Sequence, residues 1–454
     1  MKAKKKEIDI LNTPLTKGIL LFTLPIALSS IVQQLFNAAD TAVVGHFTNS
    51  NALAAVGTNT EIIALTVTIS VGLALGANIL IAQLIGENKK DKIPAAVQSA
   101  ILLALIIGVF GLAVGQLLAS PILKMIKTPS VIFSSAEAYL RIYILGYPFL
   151  LLYDFGSAIL RAKGDSRRPF RILVLCGIIN AVLNIIFVTV FHMGVSGVAL
   201  ATDISNATSA VIILHRLKKD ELFAFTFKEI RLSKNYVKSI LSAGVPSAIS
   251  GAVFCFANIF VQASVNTFGK TAIAGSTIAT NFEYFTYYII TAFAQTTTTF
   301  ISQNHAAGKT KRCKKIFALS MLWSTVCSTL FIFLIVVFRS SLSGLFSSEA
   351  EVIEYACLRI MCILLYEPIC NFFEIPSGYL RGSGHPLYPA VATIIGTCVF
   401  RIVWIFTFFK MSPTLPHLYM AFPLSYVTDI VLVNLGFLII KIKNNKPQKS
   451  KSPR

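Results

Sequence analysis

The stretch from Gly18 to Phe47 is nearly all apolar, with Pro25 inside it and Gln33, Gln34, Asn37 and Asp40 as its chief interruptions. At about 1.5 Å per residue a helix of that length measures roughly 45 Å, enough to cross a hydrocarbon core about 30 Å thick with tilt. It reads as a membrane span, and Pro25 predicts a bend in it. Gln33, Asn37 and Asp40 recur at helical spacing, so they share a face that points away from lipid into protein. Amides on such a face serve helix packing through hydrogen bonds worth about 0.6 to 2 kcal/mol each. A carboxylate costs about 2.5 to 3.5 kcal/mol on insertion scales, which makes Asp40 a candidate for handling ions and requires a partner elsewhere in the chain.

The rest of the chain repeats this character. It is 55% hydrophobic and 13% charged, with a mean hydropathy of +0.72, outside the range of soluble domains. The apolar runs predict twelve spans, at residues 18–47, 52–85, 94–122, 134–159, 169–191, 194–214, 237–267, 271–303, 315–338, 351–379, 386–409 and 416–440. A net charge of +20 in a soluble protein would suggest nucleic acid, but the placement of the 40 Lys and Arg argues otherwise. Alternate loops on one side carry only Lys124, Lys127, Lys270, Arg339 and Lys410, and Arg141, Arg359 and Arg401 fall within spans or at their rims. All the others, including Lys4 to Lys6, Lys89, Arg167, Lys218, Lys311 and Lys443, lie on the opposite side, which predicts that both termini are cytoplasmic. No cleavable signal is expected, because Lys2 to Lys6 lead into a span too long for an h-region. The eight cysteines contain no Cys-x-x-Cys pair and read as packing residues.

The chain also repeats itself at an offset of about 220 residues. Leu160, Arg161, Gly164 and Pro169 recur as Leu380, Arg381, Gly384 and Pro389; Pro25 with Asn37 recurs as Pro246 with Asn258, Gln83 as Gln303, and Leu140-Arg141-Ile142 as Leu358-Arg359-Ile360. With six spans per half, both halves keep one orientation. The expected fold is an all-α polytopic membrane protein of twelve transmembrane helices, in two six-helix bundles related by a pseudo-two-fold axis near the membrane normal. Its expected parts are a cytoplasmic tail (1–17), an N-lobe (18–214), a cytoplasmic linker (215–236), a C-lobe (237–440) and a basic tail (441–454). The linker, with Phe223, Phe225 and Phe227 among charges, reads either as an amphipathic segment on the membrane face or as a tether.

With these motifs in both halves, the chain resembles the multidrug and toxic compound extrusion (MATE) transporters over essentially residues 10–440. The resemblance implies two bundles in a V-shaped arrangement, alternating access, and export of organic, often cationic, compounds driven by inward protons or sodium ions. It also implies a cation-coupling site in the N-lobe. Asp40 stands at the family's first-helix acid, with Asn180, Asn184 and Thr202 at its other groups. Some branches carry Asp where Asn184 stands, and Asp203 is a candidate for keeping the carboxylate count at a shifted position. Another branch has an acid on helix 7, where this chain has Phe254 and Cys255, so a coupling site of that kind is not expected in the C-lobe.

The residues themselves add to this. Asn180 and Asn184 lie one turn apart, and oxygen ligands around Asp40 suit sodium, whereas a single desolvated carboxylate suits a proton. A sodium site at Asp40, Asn180 and Asn184 and a proton site at Asp40 both fit. Asn37, Glu61, Glu283, Tyr287 and Glu367 are candidate substrate residues. Glu61 reads also as a rim hydrogen bond, and Glu283, among Phe282, Tyr284, Phe285, Tyr287 and Tyr288, sits either in a cation-binding aromatic cluster or in an interfacial aromatic belt. Asp154 and Glu374 each precede a motif arginine by two turns, which predicts the ion pairs Asp154–Arg161 and Glu374–Arg381 at the cytoplasmic end.

The expected activity is therefore secondary-active export of lipophilic organic cations from the cell by a monomer in the inner membrane, with H+ or Na+ as coupling ion and no cofactor. The alternative within transporters is a lipid-linked oligosaccharide flippase; the acidic set Asp40, Glu61, Glu283 and Glu367 favours cationic cargo over phosphate. Scattered histidines, and the absence of His-Glu-x-x-His, Gly-x-Ser-x-Gly and phosphate-loop patterns, argue against an enzyme and against direct use of ATP.

Overall fold

The computed structural model describes residues 7–48, 50–223 and 231–445, without the side chains of 37–39, 41, 42, 50 and 441–445. The side chain of Asn37, the Phe225 and Phe227 part of the linker and the tail beyond 445 thus lie outside the described residues. The regular secondary structure among those residues is all helical. They are α1 (Leu15–Phe47), α2 (Ser50–Gly86), α3 (Ile93–Met125), α4 (Ser130–Leu145), α5 (Tyr147–Lys163), α6 (Arg167–Ile185), α7 (Gly194–Lys218), α8 (Lys234–Val265), α9 (Lys270–Ala306), α10 (Thr310–Val337), α11 (Arg339–Gly344), α12 (Ala350–Cys362), α13 (Asn371–Gly382), α14 (Leu387–Thr393), α15 (Phe400–Phe406), α16 (Phe408–Met411), α17 (Leu415–Tyr419) and α18 (Ala421–Asn445).

Among the described residues ten helical segments are long and apolar enough to cross a membrane, and α4 with α5, bent by 44° at Gly146, makes an eleventh. The remaining expected span, 271–303, is α9. It has the length, but Thr296 to Thr299, Ser302, Gln303 and Asn304 lower its hydropathy, and all of these are buried in protein rather than exposed to lipid. The protein is a multi-pass membrane protein.

The repeated motif is a helix terminator. Gly164 and Gly384 both have positive φ, 107° and 91°, a conformation that a β-carbon disfavours. After them, Asp165 N–H bonds to Leu160 C=O at 3.1 Å and His385 N–H to Leu380 C=O at 2.8 Å, while each glycine N–H reaches the carbonyl of its motif arginine. This is the six-to-one and five-to-two pattern of a Schellman cap, with its leucine buried in both copies. Pro169 and Pro389 then fall in the first turn of α6 and α14, where a missing N–H costs nothing.

The chain forms two compact units. One runs to Cys255 and includes Thr299–Ile316; the other takes Phe256–Thr298 and the chain from Phe317 onward. The first thus includes most of α8, beyond the 18–214 segment suggested by the repeat, and small residues explain why. A β-carbon on Gly72 would lie 2.5 Å from Ala248 Cα, one on Gly76 2.1 Å from Ile240 O, and one on Gly244 2.7 Å from Leu73 O. The backbones of α2 and α8 approach that closely only through this small-residue seam. We therefore expect Gly76→Val to lower the thermal stability of detergent-purified protein by several degrees, whereas Gly57→Val, with open space around Gly57, should change it by a degree or less.

At one end of the first unit the segment before α1 is held down. Ile8 N–H bonds to Gly164 C=O at 3.1 Å, Ile10 is buried, and Arg312 donates to the carbonyls of Ile10 (3.2 Å) and Thr13 (2.6 Å). Glu7 pairs with Lys163 and Arg168, each at 3.2 Å, and Lys163 with Asp220 at 2.7 Å. Phe223, read from sequence as part of a linker, is fully buried under Lys163. Reversing Lys163 to Glu should destabilise this end, and Lys163→Glu with Asp220→Lys should recover part of the loss. A double-mutant cycle in thermal unfolding should yield a coupling of about 0.5 to 3 kcal/mol.

Candidate functional site

Within the first unit α1, α6 and α7 bring Asp40, Asn180, Asn184 and Thr202 into one hydrogen-bonded chain. Asn184 Nδ2 donates to Asp40 Oδ1 and, at 3.2 Å, to Asn180 Oδ1. Asn180 Nδ2 donates to Thr202 Oγ1 at 3.1 Å, and that hydroxyl donates to Val198 C=O at 3.1 Å. The one-turn spacing of the two asparagines puts both amides on one face of α6, just before the helix widens into a π turn at Ile186–Val190. Asp40 is 8% exposed and Asn184 fully buried. Among the described residues Asn184 Oδ1 has no hydrogen-bond partner, so a buried carbonyl oxygen stands beside a buried carboxylate. Such a set fits a proton or a small hard cation, which takes carboxylate and carbonyl ligands.

Asp203 is adjacent in sequence to Thr202 but serves another face. Its Oδ1 packs against the backbone of Gly146 at the α4–α5 bend, 2.0 Å from where a Gly146 β-carbon would stand. It is not a link in the Asp40–Asn184 chain of hydrogen bonds. Tyr139 and Tyr143 of α4, which the sequence did not single out, are buried, stack at 6.4 Å between centroids, and lie within electrostatic reach of both Asp40 and Asp203. Glu61 is exposed on α2. Asp154 is buried, and its Oδ2 accepts from Ser70 Oγ at 2.6 Å.

The second unit holds the other candidates. Glu374 does pair with Arg381, at 3.6 Å, and also accepts from Tyr287 OH at 2.7 Å. Glu367 is buried and accepts from Thr286, and Asn371 joins Ser324 and Ser328. Glu283, expected in a cation-binding aromatic cluster or an interfacial belt, is paired inside the second unit. Arg359 of α12 holds it in a fork, Nε to Oε1 at 2.7 Å and Nη2 to Oε2 at 2.9 Å, and completes its own contacts on Ser276 and on the rings of Tyr419 and Phe422. The charge is met inside the protein, because a buried carboxylate is costly unless paired. Tyr287, likewise, is engaged by Glu374. The signal available in the sequence was Arg359 itself, since a cation within a span implies a buried partner.

The MatE family model matches residues 25–186 and again 246–407, which places both repeats of this chain within it. The chain belongs to the MatE family. Curated relatives of this MATE protein include the probable multidrug resistance protein YoeA of Bacillus subtilis (strain 168), 26% identical over 386 residues, 83% of each chain. The probable multidrug resistance protein NorM of Thermotoga maritima is 26% identical over 405 residues, 87% of this chain and 86% of that one. A crystal structure of MATE in complex with MaL6 superposes with a TM-score of 0.90 at 22% identity, covering 98% of this chain and 100% of that one. MATE proteins are transporters, so this chain is a transporter and not an enzyme.

Proposed function

We propose that this MATE transporter exports organic compounds by alternating access, driven by inward movement of a proton or sodium ion taken up at Asp40, Asn180, Asn184 and Thr202. The observation that carries the reading is the buried Asp40 carboxylate joined to Asn184 and Asn180, with an Asn184 carbonyl that has no partner among the described residues, since these oxygens together suit a positive charge. Relatives named as multidrug resistance and multidrug export proteins support drug-like cargo. Acidic groups on both units, Asp40, Glu61 and Glu367, favour lipophilic cations. The basic loops on one side support cytoplasmic termini in the cell membrane, and a monomer is the expected working unit.

The deciding experiment loads proteoliposomes with a fluorescent lipophilic cation and imposes a proton gradient or a sodium gradient, each alone. Efflux under one of the two supports the reading and identifies the ion. Equal efflux with and without both gradients overturns it, and export of anionic compounds in preference to cations overturns the cargo assignment.

A further inference from the structure

The two repeats build different things at matching positions. At an offset of 221 residues Asp40 of α1 corresponds to Val261 of α8 and, past the π turn at Ile394–Val399, Asn180 of α6 to Arg401 of α15; at 220, Thr202 of α7 corresponds to Phe422 of α18 and Ser205 to Ser425. In the first unit Asn180 and Thr202, with Asn184, make an amide and hydroxyl chain to the Asp40 carboxylate. In the second, Val261 is buried and apolar, and the centre is occupied by the Arg401 side chain, which is fully buried. Arg401 Nη1 donates to Asn258 Oδ1 at 3.0 Å, the repeat partner of Asn37, and Nε donates to Ser425 Oγ at 3.1 Å. The guanidinium lies 4.1 Å from the centroid of Phe422, the ring that stands where Thr202 does in the other repeat, and 5.7 Å from that of Tyr426. One turn beyond Ser425, Asp429 is fully buried, accepts from Thr397 Oγ1 at 2.5 Å, and lies within electrostatic reach of Arg401.

We propose that Arg401 is a tethered cation, filling permanently in the second unit the counterpart of the centre that binds a mobile ion in the first, so that the transporter exchanges ions at one repeat only. This rests on the ion-coupling reading of Asp40. A guanidinium suits the role because it stays charged at any physiological pH, offers directed donors to Asn258 and Ser425, and stacks on an aromatic face while desolvated. The first repeat replaces the stacked ring by a hydroxyl and the guanidinium by an amide, which trades a resident charge for a site that a small ion can enter and leave.

The test uses the full-length protein with Arg401→Ala. Removing the side chain should cut gradient-driven efflux at least fivefold and lower the melting temperature of the detergent-purified protein. Millimolar guanidinium should restore a large part of both, while urea, nearly the same shape without charge, should not. Rescue by urea as complete as by guanidinium, or an Arg401→Ala protein that transports and melts as wild type, overturns the proposal. Should Arg401→Ala fail to accumulate, Arg401→Lys and Arg401→Gln decide it: Lys should retain several times the efflux of Gln, and equal values overturn the idea. Ion stoichiometry from reversal of transport should be one ion-binding event per cycle, and two would overturn it. Melting does not depend on coupling, so guanidinium rescue is scored separately from failure of the Asp40 reading.

Discussion

Asp40→Asn should reach the membrane at wild-type abundance and export substrate about tenfold or more slowly than wild type under the driving gradient. The substitution keeps the size of the side chain and an oxygen able to accept from Asn184 Nδ2, so the α1–α6 contact survives. What it removes is the negative charge and the titratable proton, the two properties by which a buried carboxylate can hold sodium or carry H+. Asn180→Ala provides a graded comparison, because it deletes neutral hydrogen bonds worth about 0.5 to 1.5 kcal/mol each and should slow efflux less than Asp40→Asn. The measurement is initial efflux from proteoliposomes at matched protein density. Wild-type efflux by the Asp40→Asn protein under the same gradient would make Asp40 a packing residue and remove the coupling site from the first unit.

Glu283→Gln should be among the most destabilising single substitutions in the chain. The Glu283 and Arg359 side chains are 12% and 5% exposed, and the fork between them is the main compensation for burying both. Losing one partner of a buried pair leaves the other charge uncompensated, at a cost of about 3 to 5 kcal/mol, whereas replacing both is often close to neutral. Glu283→Gln alone should therefore melt well below wild type in detergent, and Glu283→Gln with Arg359→Met should recover most of the difference. Should Glu283→Gln melt as wild type and instead weaken binding of several lipophilic cations, Glu283 would return to the substrate path and Arg359 would be stabilised by Ser276, Tyr419 and Phe422 alone.

The two arginines of the second unit show where reading along the chain stops. Arg359 and Arg401 both stood out as cations within spans or at their rims, and that burial requires partners follows from the sequence. Which partners they take does not. Glu283 lies 76 residues from Arg359, and Asn258 lies 143 residues from Arg401. The aromatic residues around Glu283 in sequence do not tell whether it turns toward a cargo or toward α12, because that depends on the rotation of two helices about their own axes. Asp203 makes the same point at shorter range: one residue from Thr202, it faces Gly146 instead of Asn180.

Properties carried by chain-local spacing were legible without coordinates. Apolar runs of sufficient length dictate spans, since no other backbone arrangement but a closed barrel satisfies its hydrogen bonds in lipid. The Leu-Arg-x-x-Gly pattern dictates a helix end, because its Schellman bonds close within six residues. The one-turn spacing of Asn180 and Asn184 dictates a shared face, and the burial of Asp40 demands a partner. Only the tertiary structure decided that the partner is Asn184, that the polar run of α9 is enclosed by protein, and that Arg401 occupies one repeat's centre. These are contacts between helices far apart in sequence. Their choice rests on axial rotation and on backbone approach at residues such as Gly72, Gly76 and Gly244, set by the packing of many side chains at once.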